Sequence, residues 1–139
     1  MKLFQYESYE HYVKAQTDGN KLKIKNVYVE QKAVDLVADL HGPSKSVLCH
    51  GTRNGAELRM FQSKYPEAEV LGTEISDTAT QFPNTVQWDF THQWNEWLGH
   101  WDVVYTNSFD HSMDPQATLG TWRDQLSPEG RLYVDYDFD

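Results

Sequence analysis

An α/β fold with a mostly parallel sheet is what this sequence predicts, on three observations. From Val47 onward, short apolar runs rich in β-branched residues alternate with stretches of helical character, the pattern of strands joined by helical crossovers. The first such run, Ser46-Val-Leu-Cys-His, leads into Gly51-Thr-Arg-Asn-Gly55 and then a helix start at Ala56-Glu-Leu-Arg-Met-Phe, a strand–turn–helix unit. The next two runs end in carboxylates, Glu74 and Asp89, at the edge where ligands of open α/β sheets bind. A length of 139 residues suits one domain with a real core, and 39% hydrophobic with 14% aromatic residues argues against disorder. The whole chain, 1–139, is expected to form one domain, with residues 1–26 a helical or extended N-terminal segment and 27–139 the α/β core.

Taken in order, Tyr6 to Gln16 reads as an aromatic-rich helix ended by Asp18-Gly19-Asn20. Lys21-Leu-Lys-Ile-Lys25 alternates as one polar face of a short strand or extended piece. Val27 to Leu40 reads as a second helix, with Val27, Val34, Val37 and Leu40 at helical spacing and a His41-Gly-Pro43 stop. The first strand and its turn follow, then strands at Val70–Glu74 and Val86–Phe90. Trp94, Trp97 and Trp101 lie in a polar context and are expected to pack a short helix. Trp101-Asp-Val-Val-Tyr-Thr106 is the fourth strand, and its loop carries Asn107, Asp110 and His111 before an Asp114-Pro115 helix start. That helix runs through Ala117 to Gln125, and Leu126-Ser-Pro-Glu-Gly-Arg-Leu-Tyr-Val134 turns into a fifth strand.

The glycine-bearing turn aims backbone N–H groups and a helix N-terminus at whatever lies over it, which suits an anionic or nucleoside-bearing ligand. It has neither the G-x-G-x-x-G spacing of dinucleotide binders nor the lysine of a P-loop, so a nicotinamide-dependent oxidoreductase ranks low. Glu74 stands where a carboxylate would accept from two ribose hydroxyls, or is a solvated strand end. By themselves Asp89 can be a turn residue and Phe90 ordinary core.

These motifs, in this order, resemble the class I S-adenosylmethionine-dependent methyltransferases. Gly51 and Gly55 match the outer glycines of the family's G-x-G-x-G turn, Arg53 replaces the middle one, and Cys49 stands where an acidic residue is common. Glu74, Asp89-Phe90, the Asp102-to-His111 stretch and the Leu126-to-Leu132 turn, with Glu129 in place of a first glycine, follow in the family's sequence. The resemblance spans roughly residues 27 to 136. It implies a Rossmann-like three-layer α/β/α sandwich with sheet order 3-2-1-4-5, and S-adenosylmethionine as cofactor. The cofactor-binding positions it implies are His50, Gly51, Thr52, Arg53, Gly55, Glu74, Ile75, Asp89, Phe90 and Asn107. Arg53 either pairs with the cofactor carboxylate or fills its space, and Glu57 in the first helical turn either suits the helix dipole or holds Arg53. His111, with Asp110 second, is the candidate base, its alternative being a backbone hydrogen bond beside the adenosine pocket. The family continues past the fifth strand to two more strands, so the fifth is expected to be an edge, blunted by its aspartates or paired with a second copy through Leu132, Val134, Tyr136 and Phe138.

A formal charge of −9 speaks against nucleic acid as a partner. A lone Cys49 excludes an intrachain disulfide, and it reads as a buried structural thiol. With no signal-like or membrane-length apolar run, a cytoplasmic location is expected. The histidines lack H-x-x-H or H-E-x-x-H spacing, so no metal is expected. Two functions remain: a methyltransferase acting on a small-molecule or protein acceptor, and a non-catalytic S-adenosylmethionine-binding or methyltransferase-like interaction module. A pocket closed by the Tyr6-to-Tyr12 helix favours the first, and a flat open edge favours the second.

Overall fold

The computed structural model describes residues 5–136. Its five strands form one parallel sheet in the order β3-β2-β1-β4-β5, the predicted order. The elements are α1 (Tyr9–Leu22), α2 (Gln31–His41), β1 (Ser46–His50), α3 (Ala56–Lys64), β2 (Glu69–Glu74), β3 (Thr85–Gln87), β4 (Trp101–Thr106), α4 (Pro115–Gln125) and β5 (Leu126–Val134). Short 3-10 turns occupy Asp77–Gln81, Asn95–Trp97 and Phe109–His111.

Alternation along the central strands sends side chains into two separate cores. Val47 and Cys49 of β1 and Val103 and Tyr105 of β4 pack with Val34 and Val37 of α2 and Leu58 and Phe61 of α3. Leu48 and Val104 point to the other face, against Trp97, Trp101, Phe90 and Trp122 of α4. Helices thus cover both faces, and the tryptophan run is packing, with Trp94 stacked on Trp97 at 4.8 Å.

Strand β3 ends at Gln87, three residues short of the expected Phe90, and three helix boundaries move, each for a local reason. Helix α1 begins at Tyr9 because Ser8 caps it, its Oγ accepting the His11 N–H at 3.0 Å. It runs through Asp18-Gly19-Asn20 to Leu22, because Asn20 is buried and donates to Thr78 Oγ1 at 2.7 Å, a tertiary bond that outweighs the local stop signal. Lys21 and Leu22 are therefore helical, and no strand forms at Lys21–Lys25. Helix α2 begins at Gln31, four residues late: Val27 and Tyr28 are exposed, while Val29 enters the core from extended backbone. Leu40 is exposed too, so only Val34 and Val37 of the expected apolar stripe face the sheet.

Strand β5 follows α4 without a loop. Trp101 pairs with Leu126 but Val103 pairs with Arg131, so Ser127-Pro-Glu-Gly130 bulge out of the ladder. Gly130 is what lets the bulge lie against β4, since a Cβ there would stand 2.5 Å from the Trp101 carbonyl oxygen and 2.8 Å from the Ser127 nitrogen. Both obstacles are backbone and cannot rotate away. Gly130→Ala is expected to lower the free energy of unfolding by about 1–3 kcal/mol, read from urea denaturation.

Candidate functional site

The carboxyl ends of β1, β2, β3 and β4 and the inner face of α1 enclose a cavity of ≈ 280 Å³. The strand side supplies Gly51, Arg53, Glu74, Ile75, Asp89 and Phe90. Helix α1 supplies Tyr12, Ala15, Gln16, Gly19 and Asn20, with Lys23 just after it and Tyr6 just before. Four polar contacts fasten this helix over the sheet edge. Tyr9 O–H donates to Asp89 Oδ2 at 2.8 Å and Tyr12 O–H to the His111 carbonyl at 3.0 Å. Asn20 holds Thr78, and Lys21 pairs with Asp77 at 3.3 Å. The aromatic helix as a pocket wall is one of the two outcomes that the sequence leaves open, but Asn20 was not legible as a lining residue, because it reads as a helix stop in sequence and becomes a wall only in tertiary contact.

The turn after β1 is built on three left-handed residues, Gly51 (φ 71), Arg53 (φ 50) and Gly55 (φ 75). Gly51 is required twice over, because a Cβ there would also lie 2.7 Å from Ser108 Cβ. Arg53 occupies its conformation without that freedom, a strain of about 1–2 kcal/mol for an L-residue. Its backbone N–H donates to Glu74 Oε1 at 2.9 Å, while Ser76 N–H donates to Glu74 Oε2 at 3.0 Å. Thr52 N–H goes to the Thr73 carbonyl and Gly51 N–H to Thr73 Oγ1. The expectation that the turn offers its N–H groups to a ligand is therefore corrected for residues 51–53: those donors are consumed by the end of β2. Recognition falls to side chains.

Glu74 lines the cavity and is buried, and burial raises its pKa against the pull of the Ser76 and Arg53 N–H bonds and the Arg53 charge. Two backbone bonds leave lone pairs on both oxygens for further donors. Asp89 keeps a similar reserve, with Oδ2 on Tyr9 and Oδ1 accepting the Thr91 N–H at 2.9 Å. Phe90 lies between cavity and core, edge-on to Trp122 at 5.2 Å. Trp88, Thr73 and Ser108, not anticipated as site residues, also line the space.

His50 does not reach it. The imidazole is fully buried beneath the turn, stacked 4.9 Å from Trp122, with Nε2 2.8 Å from Gln125 Oε1 and Nδ1 3.0 Å from Thr73 Oγ1. Strand alternation turns it inward, away from both cavities, and its place among the cofactor contacts is withdrawn. Gly55 acts as the N-cap of α3 and lies outside the main cavity.

A second, more polar cavity of ≈ 260 Å³ adjoins the first and shares Lys23, Gly51, Arg53, Ser108 and His111 with it. Thr52, Asn107 and Asp110 line this one, together with Glu57 and Tyr28. The Arg53 guanidinium lies 4.9 Å from the Tyr28 ring centroid. His111 sits half exposed at the junction, Nε2 3.9 Å from Asp110 Oδ1.

No protein-family profile matches this sequence, and no curated protein matches it in a sequence search. Solved structures do. A Burkholderia thailandensis 1,6-didemethyltoxoflavin-N1-methyltransferase with 1,6-didemethyltoxoflavin and S-adenosylhomocysteine bound superimposes with a TM-score of 0.72 at 14% identity, over 96% of this chain and 65% of that one. A plantazolicin methyltransferase in complex with S-adenosylhomocysteine gives 0.65 at 16%, over 94% and 54%. A TehB-like SAM-dependent methyltransferase from Corynebacterium glutamicum gives 0.61 at 15%, over 91% and 73%. The chain thus spans less than two thirds of the first two neighbours. At these identities the likeness is one of fold: this is the α/β architecture of the class I methyltransferases.

Burial also lowers the His50 pKa from 6.5 to about 4, against the Gln125 hydrogen bond that raises it. Between those values the unfolded chain binds the proton and the native one does not, so stability is lost as pH falls from about 6.5 towards 4. Thermal melts across that range are expected to show Tm dropping more steeply for the wild type than for His50→Gln.

Proposed function

We propose that the chain binds S-adenosylmethionine and transfers its methyl group to a small-molecule or protein acceptor. The observation that carries this reading is the convergence of Glu74, Asp89 and Phe90, from three different positions in sequence, on one cavity closed by α1. The free lone pairs of Glu74 suit the two ribose hydroxyls, those of Asp89 suit the adenine amino group, and Phe90 and Ile75 offer apolar contact to the base. The structural neighbours carry S-adenosylhomocysteine on the same fold, which supports the choice of nucleoside. A pocket roofed by α1 also favours catalysis over the interaction-module alternative, since methyl transfer depends on alignment of donor and acceptor.

When bound, the cofactor supplies an electrophilic methyl group on a sulfonium. What the chain's own residues contribute is placement: Gly51 and Ser108 form the floor where the two cavities meet, and Tyr12 fixes the His111 backbone beside it. His111 at this junction is the residue placed to accept a proton from an acceptor that needs to lose one, with Asp110 beside it to stabilise the imidazolium.

We place the protein in the cytoplasm, a reading supported by a lone, buried Cys49. No helix among the described residues is long and apolar enough to cross a membrane. A homodimer through the free edge of β5 is the assembly this strand favours, with Val134 exposed there. Its apolar face is smaller than the sequence suggests, because Leu132 packs against the tryptophan core, and Phe138 lies outside the described residues.

Calorimetric titration with S-adenosylmethionine and S-adenosylhomocysteine is expected to give micromolar binding, weakened at least about tenfold by Glu74→Ala through loss of charge-assisted bonds to the ribose. Absence of binding to the wild type would end the methyltransferase reading. Light scattering at micromolar concentration is expected to return twice the 16.2 kDa chain mass, and a monomer would remove the dimer.

A further inference from the structure

Strand β5 closes the sheet at one end, and among the described residues β4 is its only strand neighbour. Its pairing with β4 decides which of its backbone groups stay open. Asp135 N–H donates to the Thr106 carbonyl, so by strand alternation Arg131, Tyr133 and Asp135 turn their N–H and C=O groups to β4. Leu132 and Val134 then turn theirs outward, where another strand can add. Above the face that carries Tyr133 lies α2. The His41 Nδ1 is 2.9 Å from the Tyr133 hydroxyl, which seats the end of this helix over β5. Asp35 reaches sideways to Lys64 of α3 at 2.9 Å, and at about 100° per residue Leu36 and Leu40 fall on the opposite flank, toward the open edge. They are 57% and 62% exposed and one turn apart. An apolar flank thus stands beside a strand that lacks a neighbour.

We propose that a second copy of this chain covers both surfaces at once, in a two-fold arrangement that centres the β5 pair on Tyr133 and sets the two α2 helices side by side across it. The proposal rests on the edge pairing given above and specifies it. Two antiparallel copies of β5 related by an axis normal to the sheet keep the same face upward, so each α2 presents Leu36 and Leu40 to its counterpart.

Charge selects the register. The outward groups of Leu132 and Val134 pair with outward groups of the other copy, which restricts the centre to Leu132, Tyr133 or Val134. Centred on Leu132, Arg131 stands opposite Tyr133, and centred on Val134, Tyr133 stands opposite Asp135. Centred on Tyr133, Leu132 exchanges hydrogen bonds with the partner's Val134, and Arg131 stands opposite the partner's Asp135, twice over by symmetry. Directly opposed unlike charges favour this third register. Both side chains are exposed, and the Asp135 carboxylate, which accepts the Tyr105 O–H at 3.0 Å, has acceptor capacity for a guanidinium as well.

Three single cysteine substitutions read the register, since the native Cys49 is buried. In the proposed arrangement the two copies of residue 133 form a non-hydrogen-bonded pair with Cα atoms about 4.5 Å apart, within disulfide reach. Two copies of residue 132, or of 134, are offset along the strand by two residues and lie beyond it. Tyr133→Cys is therefore expected to give a covalent dimer on mild oxidation, and Leu132→Cys and Val134→Cys none. Because Tyr133 also holds His41, a second probe leaves it in place. Leu36→Glu combined with Leu40→Glu, both at exposed positions, is expected to raise the dimer dissociation constant at least about tenfold in sedimentation equilibrium, with the far-ultraviolet circular dichroism unchanged. Arg131→Asp is expected to weaken the dimer likewise, and Asp135→Arg added to it to restore the dimer. A covalent dimer through Leu132→Cys or Val134→Cys, or a dissociation constant unmoved by the α2 pair, overturns this arrangement while the edge pairing stands. A monomeric wild type overturns both and leaves the edge to a chain of another kind.

Discussion

One carboxylate holds the site in shape. Glu74, at the end of β2, accepts the N–H of Arg53 on one oxygen and that of Ser76 on the other. The first bond pins the turn after β1, in which a non-glycine residue sits in the left-handed region, and the second pins the loop that leads to the Asp77–Gln81 turn and so to the C-terminal end of α1. Because the bonds are charge-assisted and buried, they are stronger than neutral ones and hold two otherwise independent loops in register. The frame around the cavity and the group best placed to receive a sugar are the same side chain.

That economy has a cost in donors. With the N–H groups of Gly51, Thr52 and Arg53 directed at β2, the turn cannot cradle an anion by backbone alone, as glycine-rich loops elsewhere do. Arg53 brings its own charge to the same place, and its strained backbone is kept by the Glu74 bond. A helix that begins Gly55-Ala56-Glu57 then puts a buried acid within the same cavity as that cation. Side chains replace main chain as the source of polarity.

The strands and the cluster at their ends were legible because they rest on local signals: apolar runs, left-handed turn positions at Gly51 and Gly55, and carboxylates at or just past strand ends. The order of the strands was legible only through the resemblance. Asp114-Pro115 marked a helix start that holds, with Asp114 Oδ1 accepting the Ala117 N–H. What escaped depends on contacts distant in sequence. Asn20 looks like a helix terminator until Thr78 is beside it. His50 looks like part of the turn until the inward face of β1 delivers it to Trp122 and Gln125. The destinations of the turn's N–H groups are a matter of how two strands align, which no local pattern records. Val27 and Leu40 carried helical spacing yet face solvent, because spacing fixes a stripe and not what lies opposite it.

The attachment of α1 sets how the cavity exchanges its contents. Of its fourteen residues only Tyr12 and Asn20 are buried, and the helix is held by hydroxyl, amide and ammonium groups at discrete points. Each such bond contributes about 1 kcal/mol net, and water can replace any of them, so the helix can lift without disturbing either core. Two timescales follow within one small protein. The sheet and its helices open only with global unfolding, whereas the roof over the cavity opens by sub-global excursions. The lifetime of a bound molecule is then governed by the roof, and substitutions in Tyr9, Tyr12 or Asn20 act on dissociation rates as well as on the Asp89 and His111 positions those side chains hold.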